Sequence, residues 1–414
     1  MLVPPDHDEY VLVRGDQLKA DAQGELVMQF TEELREVTYL DRVRLDVIDH
    51  PKGTAIYPNE RFCFPPFPEP HVHTVSRVAK VQRVKGSDGE DWTSELRDID
   101  TRHPEPFERL AGQFLGLAEP HWLELEFDPA DLENAELIRL VATGWFFWSD
   151  ASVNVAAAGT PGIEFIPPMI TVQNADGDWV PAAPPLGFPA GKTKTMVIDI
   201  TSMISKENPR FRIGSTLELY WDCIELAVCS DDASYTTTSL EPIGTDLWSR
   251  GFSDPMTPER QDLPLFFDWT KTTEEPRWNQ HPGMYTRYGA VDPLLEKIDD
   301  QFVIMGSGDA LTIRFDAKAL PEIPEGYERD YLVFLDGWAK DRDPNTYEAL
   351  EVEPLPFHAM SGYPYGEDES FPDTPEIRAW RKEWNTRPAH RWIVPLSAER
   401  ETEWVQELIA KSPR

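Results

Sequence analysis

The sequence predicts an all-β protein made of tandem antiparallel β-sandwich modules of the jelly-roll kind, followed by a short, partly helical tail. Thirty-eight prolines are scattered through the chain, and proline breaks helices and punctuates extended segments. Apolar runs of four to eight residues recur between Gly-, Asp- and Asn-rich turn signals, which is typical of strands. Two long segments also resemble each other, which indicates repeated modules.

Length and charge set the first limits on function. With 414 residues, of which 40% are apolar, the chain is long enough for two to four domains. The 74 acidic and 39 basic residues give a net charge of -35, which disfavours binding to nucleic acid or to an anionic membrane surface. No stretch approaches eighteen consecutive apolar residues, so no membrane insertion is expected.

The cysteines do not predict a metal or disulfide framework. Only three occur, Cys63, Cys223 and Cys229, and no CxxC pair is present. Cys223 and Cys229 lie at even spacing on an apolar run, so they are expected to be buried packing residues.

The repeat is carried by "LELEFDPADLENAELIRLVATGW" (123–145) and "LTIRFDAKALPEIPEGYERDYLVFLDGW" (311–338). Both contain L-x-x-x-F-D-x-x-x-L, a polar spacer and an apolar strand that ends in Gly-Trp. A fainter third copy at 26–51 keeps the strand but lacks the Gly-Trp. The irregular, domain-sized spacing favours repeated modules over a solenoid, whose period is short and fixed.

The repeat makes local predictions. Phe127 and Phe315 are expected to point inward, with the following aspartate at the strand end. The glycines of the two Gly-Trp pairs, Gly144 and Gly337, are expected to let the strand bend or a neighbouring backbone approach. Their tryptophans should then occupy equivalent places in two related sandwiches.

Four segments follow from this pattern: a partial sandwich at 1–114, a jelly-roll-like sandwich at 115–232, a second related sandwich at 233–350, and a Pro- and acid-rich tail at 351–414. Helical patterns occur in the tail at 374–384 and 396–411, where Ser397 is placed to cap the second helix.

Sequence motifs give little support to an enzyme. No phosphate loop, Rossmann fingerprint, GxSxG elbow or HExxH helix is present, and no catalytic residue is assigned. Carboxylates are abundant, so a glycosidase-like pair such as Asp150 with Asp222 is the basis of an alternative hypothesis, a carbohydrate-active hydrolase.

Aromatic residues beside acids at strand ends are the candidate ligand-binding groups. Fourteen tryptophans and twelve tyrosines are enough for a sugar-stacking platform on strand-end loops. The alternative is that the rings close the ends of the cores. The candidates are Trp145, Trp148, Asp150, Trp221, Asp222, Trp338 and Asp341.

The sequence assigns no metal site. His71 and His73 share one face of a strand and could bind a metal only with a third ligand. "NADGDW" (174–179) resembles half of a calcium loop, but Pro185 stands where the closing glutamate should be. A hairpin turn is favoured there, as for "GSDGED" (86–91), and calcium remains a weak alternative.

Two loops rich in Gly, Tyr and Pro are expected to cover sheet edges rather than bind a ligand. They are "GMYTRYG" (283–289), which contains Arg287, and "FHAMSGYPYG" (357–366), which contains His358.

Several blocks occur in an order that resembles the C-terminal region of bacterial FG-GAP repeat proteins with an ASPIC/UnbV segment. They include "FTEELREVTYLDRVRLDVIDHP", "LELYWDCIEL", "MYTRYGAVDPLL", "RDYLVFLDGWAKDRDPNT" and "VEPLPFHAMSGYPY". The similarity runs from about residue 10 to 394, but the FG-GAP calcium repeats and the tetratricopeptide repeats of those proteins are absent. The resemblance implies an extracellular or periplasmic binding or assembly role and transfers no catalytic residues.

The sequence as a whole therefore predicts a non-catalytic exported module that recognises a glycan or protein ligand through strand-end loops. The alternatives are the carbohydrate-active hydrolase and a structural subunit of an extracellular assembly, such as a homo-oligomer.

Overall fold

The computed structural model describes residues 8–63, 71–191, 193–228, 233–256 and 266–390. These residues are mainly β, in antiparallel sheets with short helices, so the predicted all-β sandwich class is confirmed. No helix in this part of the chain is long and apolar enough to cross a membrane.

Twenty-three strands lie in the described residues. The first seven are β1 (Asp8–Val13), β2 (Glu25–Thr31), β3 (Val37–Pro51), β4 (Ala55–Pro58), β5 (Val72–Val75), β6 (Val78–Lys80) and β7 (Arg83–Gly86). The next seven are β8 (Leu117–Glu126), β9 (Arg139–Phe146), β10 (Met169–Gln173), β11 (Trp179–Pro181), β12 (Lys194–Asp199), β13 (Arg210–Leu217) and β14 (Leu219–Ala227). The remainder are β15 (Thr236–Leu240), β16 (Gly244–Ser249), β17 (Phe252–Met256), β18 (Phe266–Thr273), β19 (Met284–Tyr285), β20 (Val303–Gly306), β21 (Asp309–Asp316), β22 (Tyr327–Lys340) and β23 (Arg387–Pro388).

Strands β6 to β14 form a two-sheet unit, which we name the inner sandwich. Its sheets have the orders β11-β10-β13-β8-β7 and β12-β9-β14-β6. Apolar side chains from both sheets meet between them, among them Leu125, Phe211, Leu140 and Ile224. This is the arrangement that alternating apolar residues produce when two sheets stack.

A second two-sheet unit, the outer sandwich, is built from both ends of the described chain. One sheet has the order β1-β22-β3-β15 with β20 beside β3, and the other has the order β16-β21-β2. Tyr39, Phe302, Leu311 and Phe315 are fully buried in its core. The hairpin β4–β5 lies between the two sandwiches, since Ile56 packs with Leu332 of the outer one and Tyr57 with Val197 of the inner one.

Strand pairing does not follow the four segments expected from the sequence. Strands from 1–114 and from 233–350 were assigned to separate sandwiches, yet β2 pairs with β21, and β1 and β3 pair with β22. Strands β6 and β7, also from 1–114, join the sheets of the segment 115–232. The sequence pattern gives the strands but carries no information on which distant strand satisfies each backbone edge.

The pairing also corrects the fainter repeat at 26–51. Its strand "YLDRVRLDV" (39–47) matches "YWDCIELAV" (220–228) in the pattern Y-x-D-x-[IV]-x-L-x-V, so its counterpart is β14 and not a Gly-Trp strand. The strand before each of these, β2 or β13, pairs with the strand of the Phe-Asp segment: β21, which ends at Asp316, or β8, which ends at Glu126 just before Phe127.

The inner sandwich is a continuous insert within the outer one. In chain order, β2–β3 precede β8–β9, and β13–β14 precede β21–β22. In space, β3 pairs with β22, and β14 pairs with β9. The strand pairs are therefore nested: the consecutive strands β6–β14 form the inner sandwich, and the outer sandwich is closed by strands from both sides of this segment.

The predicted role of the two glycines is confirmed. A Cβ on Gly144 would lie 2.7 Å from the carbonyl oxygen of Tyr220, and a Cβ on Gly337 would lie 2.0 Å from that of Tyr39. Both distances are shorter than non-bonded atoms permit. Glycine is therefore needed where the neighbouring strand approaches most closely.

The tryptophans that follow these glycines lie at equivalent register positions. Trp145 is paired with Tyr220 and Trp338 with Tyr39. Phe127 and Phe315 are both buried, as expected, and the aspartate after each accepts a backbone N–H two residues further on.

Three α-helices lie in the described ranges, α1 (Pro129–Leu132), α2 (Ala151–Ala158) and α3 (Pro375–Glu383). Thr374 caps α3, and the helix buries Trp380 in the outer sandwich, which confirms the predicted helix at 374–384. The second predicted helix, at 396–411, lies outside the described residues, as does Cys229. Cys223 is buried, as predicted.

The segment "NADGDW" forms the predicted hairpin turn between β10 and β11. The side chain of Asn174 accepts the backbone N–H groups of Asp176 and Asp178, so local backbone geometry explains this spacing of polar residues.

Candidate functional site

Two of the three predicted ligand-binding tryptophans of the inner sandwich are core residues. Trp145 is 6% exposed and Trp221 is 3% exposed, and the ring of Trp145 packs against Tyr220 with centroids 5.6 Å apart. Trp148 is 42% exposed and stacks on Phe147 at 5.1 Å. The platform suggested by the sequence is therefore not assembled from these three rings.

The predicted acids of the inner sandwich bind backbone groups. Asp222 is buried, and its Oδ1 accepts the N–H groups of Asp100 and Thr101 at 3.0 and 2.8 Å. Asp150 caps α2 by accepting the N–H of Val153 at 2.8 Å. Each carboxylate thus stabilises a local backbone turn.

The loops that follow the two Gly-Trp strands meet each other. Asp341 accepts hydrogen bonds from the N–H of Asp343 and the hydroxyl of Thr346, while Ser152 donates to Asp343 at 2.9 Å. Burial raises the pKa of Asp341, and the nearby charges of Asp343 and Asp150 raise it further. The structure therefore brings the predicted residues Asp150 and Asp341 to one junction between the sandwiches.

Trp338 is the predicted residue that contacts a charged cluster. Its ring lies edge-on to the imidazole of His358, with centroids 4.7 Å apart, and edge-on to Phe302 at 5.8 Å. His358 belongs to the loop 357–366, which was expected to act only as a cover. Phe357 of this loop is indeed buried, but its neighbour His358 points to a group of acids.

We call this group the Asp–His centre and define it as Asp41, Asp336, Asp300 and His358. A bulge in β3 places Asp41 between Leu40, which pairs with Gly337, and Arg42, which pairs with Asp336. Hence β3 and β22 present adjacent carboxylates at this position, and both side chains are 0% exposed.

His358 connects the acids of the Asp–His centre. Its Nδ1 lies 2.7 Å from Oδ1 of Asp300 and 3.7 Å from Oδ2 of Asp41, and its Nε2 lies 3.0 Å from Oδ1 of Asp336. The side chains of His358 and Asp300 are 21% and 16% exposed, so the centre borders solvent through these two residues.

Burial and charge perturb the titration of this cluster. Desolvation raises the pKa of Asp41 to about 7, although the backbone N–H of Asp300 and the charge of His358 act against it. Desolvation lowers the pKa of His358, but hydrogen bonds and charges from Asp300 and Asp336 outweigh it and raise the value to about 9. Among the described residues, Asp41, Asp336 and His358 can offer three ligand atoms within 4.8 Å of one another.

A cleft of about 740 Å³ lies between the two sandwiches. Residues of β3 and β22, together with the segments that follow β1 and β3, form one wall. Residues of β14 and of the β5–β6 region form the other wall. The charged side chains that line the cleft are four basic and four acidic, together with one histidine: Arg14, Arg77, Lys80, Arg329, Asp16, Glu225, Glu328, Asp330 and His50.

The charges of the cleft are arranged around Asp330. Arg14 pairs with this carboxylate at 2.9 Å, and Nε2 of His50 lies 3.3 Å from it. Burial raises the pKa of Asp330, but His50, the N–H of Gly15 and Arg14 outweigh this effect and lower it to about 2. The pKa of His50 is lowered by burial and raised by Asp330, with a net increase. Asp330 is thus held ionised in the cleft.

Two further ion pairs border the cleft. Lys80 pairs with Glu225 at 2.9 Å, and Arg329 binds both carboxylate oxygens of Asp49 at 2.7 and 2.8 Å. The four residues belong to strands β6, β14, β22 and β3, so the cleft is a product of the tertiary arrangement. No short sequence motif could have indicated it.

No protein-family model, no curated protein and no solved structure matches this chain. The similarity to the ASPIC/UnbV region therefore stays a prediction.

Proposed function

We propose that this protein is a non-catalytic binding protein that holds a polar, hydroxyl-rich ligand such as an oligosaccharide in the cleft between its sandwiches. The observation that carries the proposal is the balance of charges there. The cleft is lined by four basic and four acidic side chains, whereas the whole chain has 74 acids and 39 bases. A net-neutral, polar cleft suits a ligand that is recognised by many hydrogen bonds.

The side chains in the cleft are held in place before a ligand arrives. Asp330 accepts hydrogen bonds from Arg14 and from the N–H of Gly15, and Lys80 is fixed by Glu225. Such preorganisation reduces the entropy lost on binding. Arginine and carboxylate groups present several donors and acceptors in fixed geometry, which favours recognition of neighbouring hydroxyl groups.

The pKa of Asp330 argues against this residue as the general acid of a hydrolase. A glycosidase needs one carboxyl group that stays protonated near neutral pH as a general acid. The pKa of Asp330 is instead lowered to about 2, because three hydrogen-bond donors stabilise its ionised form. The proposal is therefore binding, as the sequence suggested, but in an inter-sandwich cleft rather than on tryptophan-bearing loops.

A glycan array followed by calorimetry on the strongest hit tests this proposal. Arg77→Gln and Lys80→Gln alter the wall that the β5–β6 region contributes, and each is expected to weaken binding about tenfold or more, since each removes charged hydrogen-bond donors. Arg314→Gln, a partly exposed arginine on β21, is the control and should bind like the wild type. Absence of binding to every glycan, or equal affinity in all variants, would contradict the proposal, and release of reducing ends would favour the hydrolase.

A further inference from the structure

Each sandwich contains a buried aspartate that lies at a β-bulge and caps a turn. Asp222 of β14 accepts the backbone N–H groups of residues 100 and 101, and Asp41 of β3 accepts those of residues 299 and 300. Both aspartates are the extra residue of a β-bulge opposite a Gly-Trp strand. The second oxygen of each carboxylate is not needed for this capping.

In the outer sandwich additional charged groups surround the capping aspartate. The strand residue before the glycine is Asp336 there and Thr143 in the inner sandwich, and the capped turn carries Asp300 where the inner sandwich has Thr101. His358 adds an imidazole beside the two buried carboxylates.

Oδ1 of Asp41 has no hydrogen-bond partner among the described residues, although Asp41 is 0% exposed. A buried carboxylate oxygen without a partner costs free energy, because its hydration is lost and not replaced. A cation beside Asp41 and Asp336 would remove this cost and neutralise two adjacent negative charges.

We propose that Asp41, Asp336 and His358 bind one divalent transition-metal ion, and that Asp300 orients His358 from the outer shell. One imidazole with two carboxylates suits ions such as Mn²⁺ or Zn²⁺, because imidazole favours zinc and related ions and carboxylate favours manganese. Metal–ligand bonds of about 2.1 Å put ligand atoms about 3 to 3.5 Å apart, close to the 3.0 Å between Nε2 of His358 and Asp336.

The outer shell of the centre is already in place. Asp300 accepts from Nδ1 of His358 at 2.7 Å, which is the carboxylate–histidine arrangement that fixes the tautomer of a metal-binding imidazole. Nε2 then faces Asp336. On metal binding the Nε2 proton leaves to solvent and the ion takes its place between the imidazole and the carboxylates.

Calorimetric titration of Mn²⁺ and Zn²⁺ into chelator-treated full-length protein tests the site. One ion per chain is expected for the wild type. Asp41→Asn is expected to weaken binding more than about 100-fold, and Asp300→Asn about tenfold, the effect of an outer-shell partner. Asp300 has φ 64°, which asparagine tolerates, so this variant should retain the fold.

Asp222→Asn is the matched control, because it makes the same chemical change at the equivalent bulge, and it should bind metal like the wild type. The double variant His71→Ala/His73→Ala controls for the surface histidine pair, whose rings lie 4.5 Å apart. The proposal is overturned if the wild type binds no ion, if Asp222→Asn weakens binding as much as Asp41→Asn, or if the double histidine variant abolishes it.

Discussion

The bulges around Asp222 and Asp41 show what the two halves of the molecule share. Each aspartate lies on a strand that faces a Gly-Trp strand, and each caps a turn whose second residue has positive φ, 65° at Thr101 and 64° at Asp300. The residue two positions after each aspartate donates its N–H to the leucine carbonyl just before the turn. The shared carboxylate is therefore part of the architecture.

The halves differ in what surrounds that carboxylate. Near Asp222, burial lowers the pKa of His103, and Thr143 makes a hydrogen bond to Thr195. Near Asp41, Asp300 and Asp336 raise the pKa of His358 to about 9. Residues that are present in both halves thus maintain the fold. Residues that are present in one half only are the candidates for a binding site.

The largest effect concerns the pairing of outer-sandwich strands across the inserted inner sandwich. If a protease site is inserted at Ser234 and the chain is cut there, we expect both fragments to remain together, because β3 of the first fragment pairs with β22 of the second. Size-exclusion chromatography should give one peak in native buffer and two in concentrated urea. Separation of the fragments in native buffer would mean that the halves fold independently.

The two Gly-Trp glycines should differ in sensitivity. Gly337→Ala is expected to lower the free energy of unfolding by about 2 to 4 kcal/mol and Gly144→Ala by about 1 to 2 kcal/mol. The added Cβ would lie closer to a backbone oxygen at Gly337, 2.0 Å against 2.7 Å. Urea unfolding followed by tryptophan fluorescence measures both. Gly244→Ala, with no atom within 4 Å of the added Cβ, is the control, and a reversed order would contradict the register assigned to the bulges.

A smaller effect distinguishes the two ends of the β3–β22 pair. Asp330 lies in the cleft, and its cationic neighbours lower its pKa to about 2. Asp41 lies about 20 Å away along the strands, at 3.3 Å per residue, and its pKa is raised to about 7. Because the pKa of Asp330 is lower in the folded than in the unfolded protein, its ionised carboxylate stabilises the fold above about pH 4. This contribution to the free energy of unfolding is lost as the pH falls towards 2 and the carboxylate is protonated. Asp330 should contribute about 2 kcal/mol in this way.

Urea unfolding of the wild type and Asp330→Asn at pH 5 and pH 2.5 measures that contribution. The variant should be less stable at pH 5, and the difference should shrink at pH 2.5. Asp246→Asn, exposed on β16, should follow the wild-type profile. An unchanged difference at both pH values would show that Asp330 acts through packing rather than charge.

The sequence predicted much of the fold because strands, turns and close contacts leave local patterns. Alternating apolar residues predicted the strands, and the repeated Phe-Asp and Gly-Trp positions predicted buried phenylalanines and glycines under a neighbouring backbone. The nesting of one sandwich within the other could not be predicted, because the strand pattern does not indicate whether β3 pairs with β9 or with β22. The similarity of "YLDRVRLDV" to "YWDCIELAV" indicates that β3 and β14 are the equivalent strands. Alignment of 26–51 with the Gly-Trp segments instead makes β3 the equivalent of β9 and β22, which hides this relation.

The candidate site was less accessible from the sequence. Trp145 and Trp221 are core residues, because strand-end tryptophans here close the inner sandwich. Among the predicted residues, Trp338 touches the Asp–His centre. Asp41 and Asp336 were overlooked because two single aspartates in apolar strands, almost 300 residues apart, form no motif until the strands pair.

The most direct test of the difference between the two bulges is anomalous diffraction from crystals soaked in Mn²⁺. We expect one strong peak per chain between Asp41, Asp336 and Nε2 of His358, and no peak beside Asp222. An Asp–His centre without a peak, with His358 still hydrogen-bonded to Asp336, would show that the cluster is a buried ionic network and that its additional carboxylates do not bind a metal.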